Sequence, residues 1–181
     1  DYNSANPPLY DSSTFHQQVL GGDAQYDYAR SGNPNRALLE EKLAKLEGGS
    51  HAFAYASGIA AISAVLLTLN AGDHVILPDD VYGGTFRLTE QILTRFNIQF
   101  STVDTTHLKE IENAIQDNTK LIYIETPSNP LFKITDIRGA ADIARNNNLL
   151  LAVDNTFMTP LGQSPLALGA DVVVHSATKF L

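Results

Sequence analysis

The chain of 181 residues has no cysteine, which excludes a disulfide framework, an iron–sulfur site and a thiol nucleophile. That absence leaves the redox compartment open and fits a cytoplasmic protein. Basic residues are also scarce: 12 Lys and Arg stand against 20 Asp and Glu, for a formal charge of −8. No Lys/Arg cluster breaks the acidic balance, which argues against nucleic acid or an anionic membrane as a general partner and for a small-molecule task. The first residues lack the basic, apolar and cleavage regions of a secretory signal. Methionine occurs once, as Met158, so Asp1 is not read as a natural start and the chain is expected to be part of a longer polypeptide. The histidines, His16, His51, His74, His107 and His175, form no i,i+4 pair and stand near no carboxylate cluster, so no metal site is expected.

Hydrophobic residues make up 44% of the chain and charged ones 18%, enough to bury a sizeable core in one domain of ordinary size. The charge-free stretch from Ala52 to Gly72 has the residue count to cross a bilayer core of ~30 Å. Ser57-Gly58 interrupts it, and Ser63, Thr68 and Asn70 dilute the rest, so it reads as strand, turn and buried helix in a soluble protein.

From residue 34 onward, helical patterns alternate with short apolar runs. Pro34 suits a helix start, Leu38, Leu39, Leu43 and Leu46 recur at helical spacing, and Gly48-Gly49 ends the segment. A β-type run over His51–Tyr55 precedes a helix from Gly58 to Asn70. Strands are expected at 74–77, 98–103, 121–124, 149–153 and 171–174. Helices are expected from the loop after Pro78 to about Phe96, over 108–116 and over 134–147. Continuous apolar runs such as Leu149–Val153 suit strands covered on both faces, which predicts an α/β fold with a mainly parallel sheet flanked by helices. Ligands of such sheets gather at the carboxyl ends of strands, where Ser57, Asp79, Glu125, Asp154 and Ser176 stand. Residues 1–33 carry Pro7-Pro8 and Gly21-Gly22 among Tyr, Ser and Gln with little periodicity, and read as an extended arm that needs a surface to lie on, a second subunit being a candidate.

Several residues could carry chemistry, each with a plainer alternative. Asp154 ends an apolar strand, where a carboxylate is costly to bury without a positive partner such as a protonated pyridine nitrogen; a cap on the next segment is the simpler reading of that residue alone. Lys179 follows another apolar strand beside the Ser176 and Thr178 hydroxyls, offering an amine and phosphate donors to an imine-forming cofactor. Taken singly, a surface lysine is the commoner explanation. Ser57-Gly58-Ile59-Ala60-Ala61 opens a helix whose first N–H groups and positive dipole end suit an anion, although small residues there also serve packing. Tyr82 on a glycine-rich loop is either a ring that stacks on a flat ligand or a cover for the core edge. Tyr28 and Arg30 are either phosphate donors or solubilising residues of a polar arm. The chain has neither G-x-G-x-x-G nor G-x-x-x-x-G-K-[ST].

Joined in order, Tyr28-x-Arg30-x-Gly32-Asn33-Pro34, Ala56–Ala61, Asp80–Thr85, Glu125–Pro130, Asp154–Phe157 and Ser176–Lys179 resemble the Cys/Met-metabolism family of pyridoxal 5′-phosphate (PLP) enzymes over essentially the whole chain. The resemblance implies a fold-type I PLP-dependent transferase fold in a cytoplasmic homotetramer, a dimer of dimers with shared active sites. Residues 1–33 would be an N-terminal arm reaching a neighbouring subunit and 34–181 an incomplete PLP-binding large domain. The family's C-terminal domain, with its arginine for the substrate α-carboxylate, would be absent from this chain. Lys179 would bind the cofactor as a Schiff base, Asp154 would pair with its pyridine nitrogen and Tyr82 would stack on its ring. Ser57, Gly58, Ile59, Ser176 and Thr178 would hold the phosphate, Ile59 standing where relatives usually have Met. Tyr28 and Arg30 would reach the phosphate of the neighbouring subunit's cofactor. Asn129 would lie near the cofactor 3′-oxygen and the substrate carboxylate, with Glu125 in support. Gly84 stands where methionine γ-lyases carry a cysteine, and Arg87 matches a position that meets a distal substrate carboxylate in cystathionine-handling relatives. The resemblance implies cleavage of the Cβ–S bond of L-cystathionine to homocysteine, pyruvate and ammonia, as in the β-lyases of Gram-positive bacteria. Lys179 or Tyr82 would protonate the leaving sulfur. The γ-synthase and γ-lyase reactions are the alternatives.

Overall fold

The computed structural model describes residues 5–181, which divide into two compact units, one ending at Ala54 and one running from Tyr55 to Leu181. In the first unit, α1 spans Pro34–Glu47. Asn33 caps it by accepting the Asn35 N–H, Pro34 opens it, and Gly48, at φ 72°, closes it in the left-handed conformation that a residue without Cβ adopts freely. The segment before α1 is tied to the helix start by side chains: Asn33 Nδ2 donates to the Tyr10 carbonyl, Asn35 Nδ2 to the Pro8 carbonyl, and the Tyr10 N–H to Asn35 Oδ1. Among the described residues of this segment, an antiparallel bridge joins Thr14 and Tyr28.

The second unit is a five-stranded, all-parallel sheet. Its strands are β1 (His74–Pro78), β2 (Gln99–Val103), β3 (Thr119–Glu125), β4 (Leu150–Asp154) and β5 (Val172–Val174), in the spatial order β2-β1-β3-β4-β5. Helices α2 (Gly58–Leu66), α3 (Gly83–Gln91), α4 (Leu108–Asn113) and α5 (Ile137–Asn146) flank it, and a short α6 (Thr159–Gly162) follows β4. The period of two along each strand sends alternate residues to opposite faces. Ile76, Ile122, Ile124, Leu151 and Val153 pack in one core cluster with Ile111 of α4 and the α5 residues Ala140, Ala141 and Ile143. Val75, Leu77, Leu121, Tyr123, Ala152 and Val174 pack in the other with Ile62 and Leu66 of α2. Each fully buried Leu or Ile contributes ~1.5–3 kcal/mol, and this two-sided burial is why the strands read as unbroken apolar runs.

The chain leaves β1 toward β2 and then returns past β1 to β3, so the direction of winding reverses between β1 and β3. A crevice opens at the carboxyl ends of the strands where such a reversal occurs. The same alternation aligns Glu125 with Tyr123 and Asp154 with Ala152, so both carboxylates end their strands on the α2 face, as direct register partners.

The α/β class, the parallel sheet and the flanking helices agree with the sequence reading. His51–Tyr55 differs: it forms no strand, because a strand needs a ladder partner and none of the described residues pairs with it. Helix α2 ends at Leu66 instead of Asn70, the segment before Phe96 finishes as a 3-10 turn over Leu93–Phe96, and α4 stops at Asn113. Among the described residues, no helix is long and apolar enough to cross a membrane.

Candidate functional site

Four contributions, from five segments, meet at the carboxyl edge of the sheet in the second unit. The first opens α2. Ser57 accepts the Ala60 N–H at 3.2 Å, which caps the third helical residue and leaves the amides of Gly58 and Ile59 without an intrahelical acceptor. Gly58 is also where the chain approaches the loop after β5. A Cβ there would lie 2.7 Å from Ser176 Cβ and 3.1 Å from Ser176 Cα, so only glycine permits this approach.

That second loop carries Ser176, Thr178 and Lys179. It is closed by a turn in which the Lys179 N–H donates to the Ser176 carbonyl at 3.0 Å. Lys179 and Thr178 are exposed and Ser176 is half-buried. The Ser176 N–H donates to Thr156 Oγ1 at 2.9 Å.

Thr156 belongs to the third loop, after β4, and its hydroxyl and N–H both donate to Asp154 Oδ1. On the other side, the Tyr123 hydroxyl donates to Asp154 Oδ2 at 3.2 Å. Asp154 is 6% exposed. Burial pushes its carboxyl above the usual carboxylate range, while the Thr156 and Tyr123 donors oppose that shift. The result is a carboxylate with fixed orientation, which the His175 charge also favours and with which no Lys or Arg among the described residues forms a salt bridge. Burial likewise pushes the Tyr123 hydroxyl well above its ordinary value, with the Asp154 and Glu125 charges adding to the effect.

The fourth contribution comes from the loops after β1 and β3. The Tyr82 backbone N–H donates to Glu125 Oε2 at 2.8 Å across the β1/β3 switch point, and the Asn129 backbone N–H reaches the same carboxylate. Glu125 is 7% exposed, and burial pushes its carboxyl up to about 7. Asp80 anchors the two loops below this point by accepting from the Ser128 hydroxyl and the Leu131 N–H. The Tyr82 side chain is 44% exposed, and its ring lies where a Cβ on Gly84 would have to be. Arg87, one turn into α3, is exposed, with a guanidinium nitrogen 3.2 Å from where a Gly83 Cβ would stand.

The second unit therefore brings Ser57, Gly58, Ile59, Tyr82, Arg87, Asn129, Asp154, Ser176, Thr178 and Lys179 to loops, helix starts and a strand end at or near one edge of the sheet. Tyr28 and Arg30 belong to the first unit. There the Arg30 guanidinium carbon lies 4.9 Å over the Tyr28 ring, and the Arg36 guanidinium donates to the carbonyls of Arg30 and Ser31. The sequence reading did not single out Tyr123 and Thr156, which orient Asp154. Tyr123 is hidden inside an apolar strand. Its two-residue spacing from Glu125, which puts both on the α2 face, was the available signal.

A parallel doubly wound sheet with a buried acid, an exposed lysine and a helix start with two free amides at its carboxyl edge defines an α/β domain suited to an anionic small molecule. The match is specific: residues 1–181 fit the model of the Cys/Met metabolism PLP-dependent enzyme family, and the chain belongs to that family. It is 84% identical over all 181 residues to a cystathionine beta-lyase MetC of Staphylococcus haemolyticus, of which it covers 46%. It is 53% identical over 174 residues, 96% of this chain and 46% of the relative, to a cystathionine gamma-lyase of Bacillus subtilis. Among solved structures, a cystathionine gamma-lyase from Lactobacillus plantarum complexed with L-serine superposes with a TM-score of 0.91 at 51% identity, covering 94% of this chain and 45% of that one. The metB structure from Corynebacterium glutamicum gives a TM-score of 0.95 at 44% identity, covering 99% of this chain and 47% of that one. The chain spans about half the length of the curated relatives it matches.

Proposed function

We propose that this chain is the cofactor-binding part of a PLP-dependent carbon–sulfur lyase that cleaves the Cβ–S bond of L-cystathionine to homocysteine, pyruvate and ammonia. The observation that carries the reading is the bond path from the Ser176 N–H through Thr156 to Asp154, which ties the Lys179 loop to a buried acid beside the Gly58 helix start. These residues fit PLP. A phosphate suits the Gly58 and Ile59 amides together with the hydroxyls of Ser57, Ser176 and Thr178. A protonated ring nitrogen would give the buried Asp154 carboxylate a positive partner in direct contact. The exposed Tyr82 ring offers a flat stacking face, and Asn129 offers an amide for the 3′-oxygen and the substrate carboxylate.

When bound, PLP withdraws the electron pair left at the substrate's Cα once its proton is removed. Lys179 would hold the cofactor covalently, and its neutral amine would take the proton from Cα. Asp154, oriented by Tyr123 and Thr156, keeps the proton on the ring nitrogen. Lys179 or Tyr82 returns a proton to the departing sulfur. Arg87 meets the distal carboxylate of the substrate, a group that methionine lacks.

The assembly we infer is a cytoplasmic homotetramer, a dimer of dimers. In it residues 1–33 form the arm that brings Tyr28 and Arg30 to the phosphate site of a neighbouring subunit, residues 34–181 form the large domain, and a C-terminal domain completes the site. The stacking of Arg30 on Tyr28 supports a shared role for that pair. The relatives named as γ-lyases support a second reading, a γ-reaction on the same substrate, and a γ-synthase would instead join an activated homoserine to cysteine. Product analysis with L-cystathionine separates them: pyruvate with homocysteine supports the β-lyase, and 2-oxobutyrate with cysteine overturns it. Formation of cystathionine from activated homoserine and cysteine identifies the synthase.

A further inference from the structure

Glu125 has no place in the chemistry above, yet its side chain ties the loop after β3 to the Tyr82 backbone across the switch point, while Asp80 joins the same two loops further along at Ser128 and Leu131. Its carboxylate accepts the Tyr82 N–H at 2.8 Å and faces the Asn129 N–H, and no Lys or Arg among the described residues forms a salt bridge with it. Buried without a cation, a carboxylate is costly, and here two like-charged groups face it as well: Asp154 on the adjacent strand and Asp80 on the loop after β1. A carboxylate offers two acceptor oxygens, one for each amide, whereas a neutral amide of the same shape offers a single oxygen and turns a donor toward the other N–H. Tyr82 also sits at the N-cap of α3 with no side-chain cap of its own, so the Glu125 carboxylate lies beside the positive end of that nine-residue helix.

We propose that Glu125 is a positioning residue: it holds the Tyr82 and Asn129 backbones in fixed relation, and so sets the orientation of the Tyr82 ring and the Asn129 amide toward the cofactor. Both partners are read as cofactor contacts, so the inference rests on the PLP reading above. In this role Glu125 acts only through these two residues. The structure supplies two reasons for a rigid tie. The Tyr82 ring is nearly half exposed and has little packing to hold it, and Gly83 and Gly84 follow it with no Cβ to restrict the backbone.

The test compares the holoenzyme with its Glu125→Gln variant by amide hydrogen exchange resolved at Tyr82 and Asn129, alongside the visible circular dichroism band of the bound cofactor. Loss of a charge-assisted bond predicts exchange faster by roughly tenfold or more at one or both amides. It also predicts a weakened or shifted dichroic band, because that band reports ring orientation, while borohydride still fixes cofactor on Lys179. Unchanged exchange together with an unchanged band in the loaded variant overturns the inference. If Glu125→Gln does not accumulate as soluble protein, Glu125→Asp keeps the charge but shortens the reach by one methylene. The same loosening is expected there, and unaltered exchange and band would again overturn it. Failure of the unsubstituted protein to bind PLP would instead defeat the reading on which the inference rests.

Discussion

The Tyr123 hydroxyl donates to Asp154 Oδ2 from the neighbouring strand, while Thr156 holds Oδ1, so the buried acid is gripped from both sides. The contact exists because β3 and β4 run in register and the pleat turns both side chains to the α2 face. Tyr123→Phe removes this donor without opening a cavity. We expect it to raise the Asp154 carboxyl further and to weaken PLP binding by about tenfold or more, in line with the ~1.5–3 kcal/mol of a bond to a charged group. Spectrophotometric titration of the apoenzyme with PLP measures this, and an unchanged affinity would show that Thr156 alone suffices.

Gly58→Ala places a methyl group 2.7 Å from Ser176 Cβ and 3.1 Å from its Cα, so the loop bearing Lys179 or the start of α2 must move. Overpacking of this kind costs ~1–3 kcal/mol, and the displacement falls on the proposed phosphate cradle. The expected outcome is at least a tenfold loss of PLP affinity with secondary structure intact by far-ultraviolet circular dichroism. Wild-type affinity in this variant would argue that the phosphate binds elsewhere.

Two buried groups give stability opposite pH dependences. Burial lowers His74 from 6.5, where its ring contacts the Thr119 and Ser101 hydroxyls beneath the sheet. Its contribution is present above the unfolded pKa and is lost as pH falls through the lower folded value. Glu125 is shifted the other way, from 4.5 to about 7, so its contribution is full below 4.5 and is lost as pH rises through about 7, on the order of 3 kcal/mol in all. Denaturant titrations at several pH values should therefore show His74→Gln flattening the acid limb below pH ~6.5 and Glu125→Gln flattening the limb between pH ~4.5 and ~7. Limbs that survive these substitutions would assign the titrations to other groups.

Much of this was legible in the sequence. Strand ends mark sites in parallel sheets, so Glu125, Asp154 and Ser176 could be placed at one edge from apolar runs and polar stops alone. The Ser57-Gly58 break and the apolar run at β4 likewise gave element type correctly, with boundaries off by a residue or a few. What could not be read was contact between distant segments. Tyr123 resembles any core aromatic until the register brings it beside Asp154, and Thr156 resembles a capping residue until the β5 loop returns to it. His51–Tyr55 misled because β-type composition describes a residue's fit to a sheet and not the presence of a neighbour to pair with. The roles proposed for Tyr28 and Arg30 would depend on a partner surface, which no single-chain pattern carries.

The most direct test is reduction of the holoenzyme with borohydride followed by peptide mapping, repeated on Lys179→Ala. The account predicts a pyridoxyl adduct on Lys179, none on the variant, and no pyruvate from L-cystathionine once Lys179 is lost. An adduct on a different lysine, or full pyruvate release by Lys179→Ala, would contradict it.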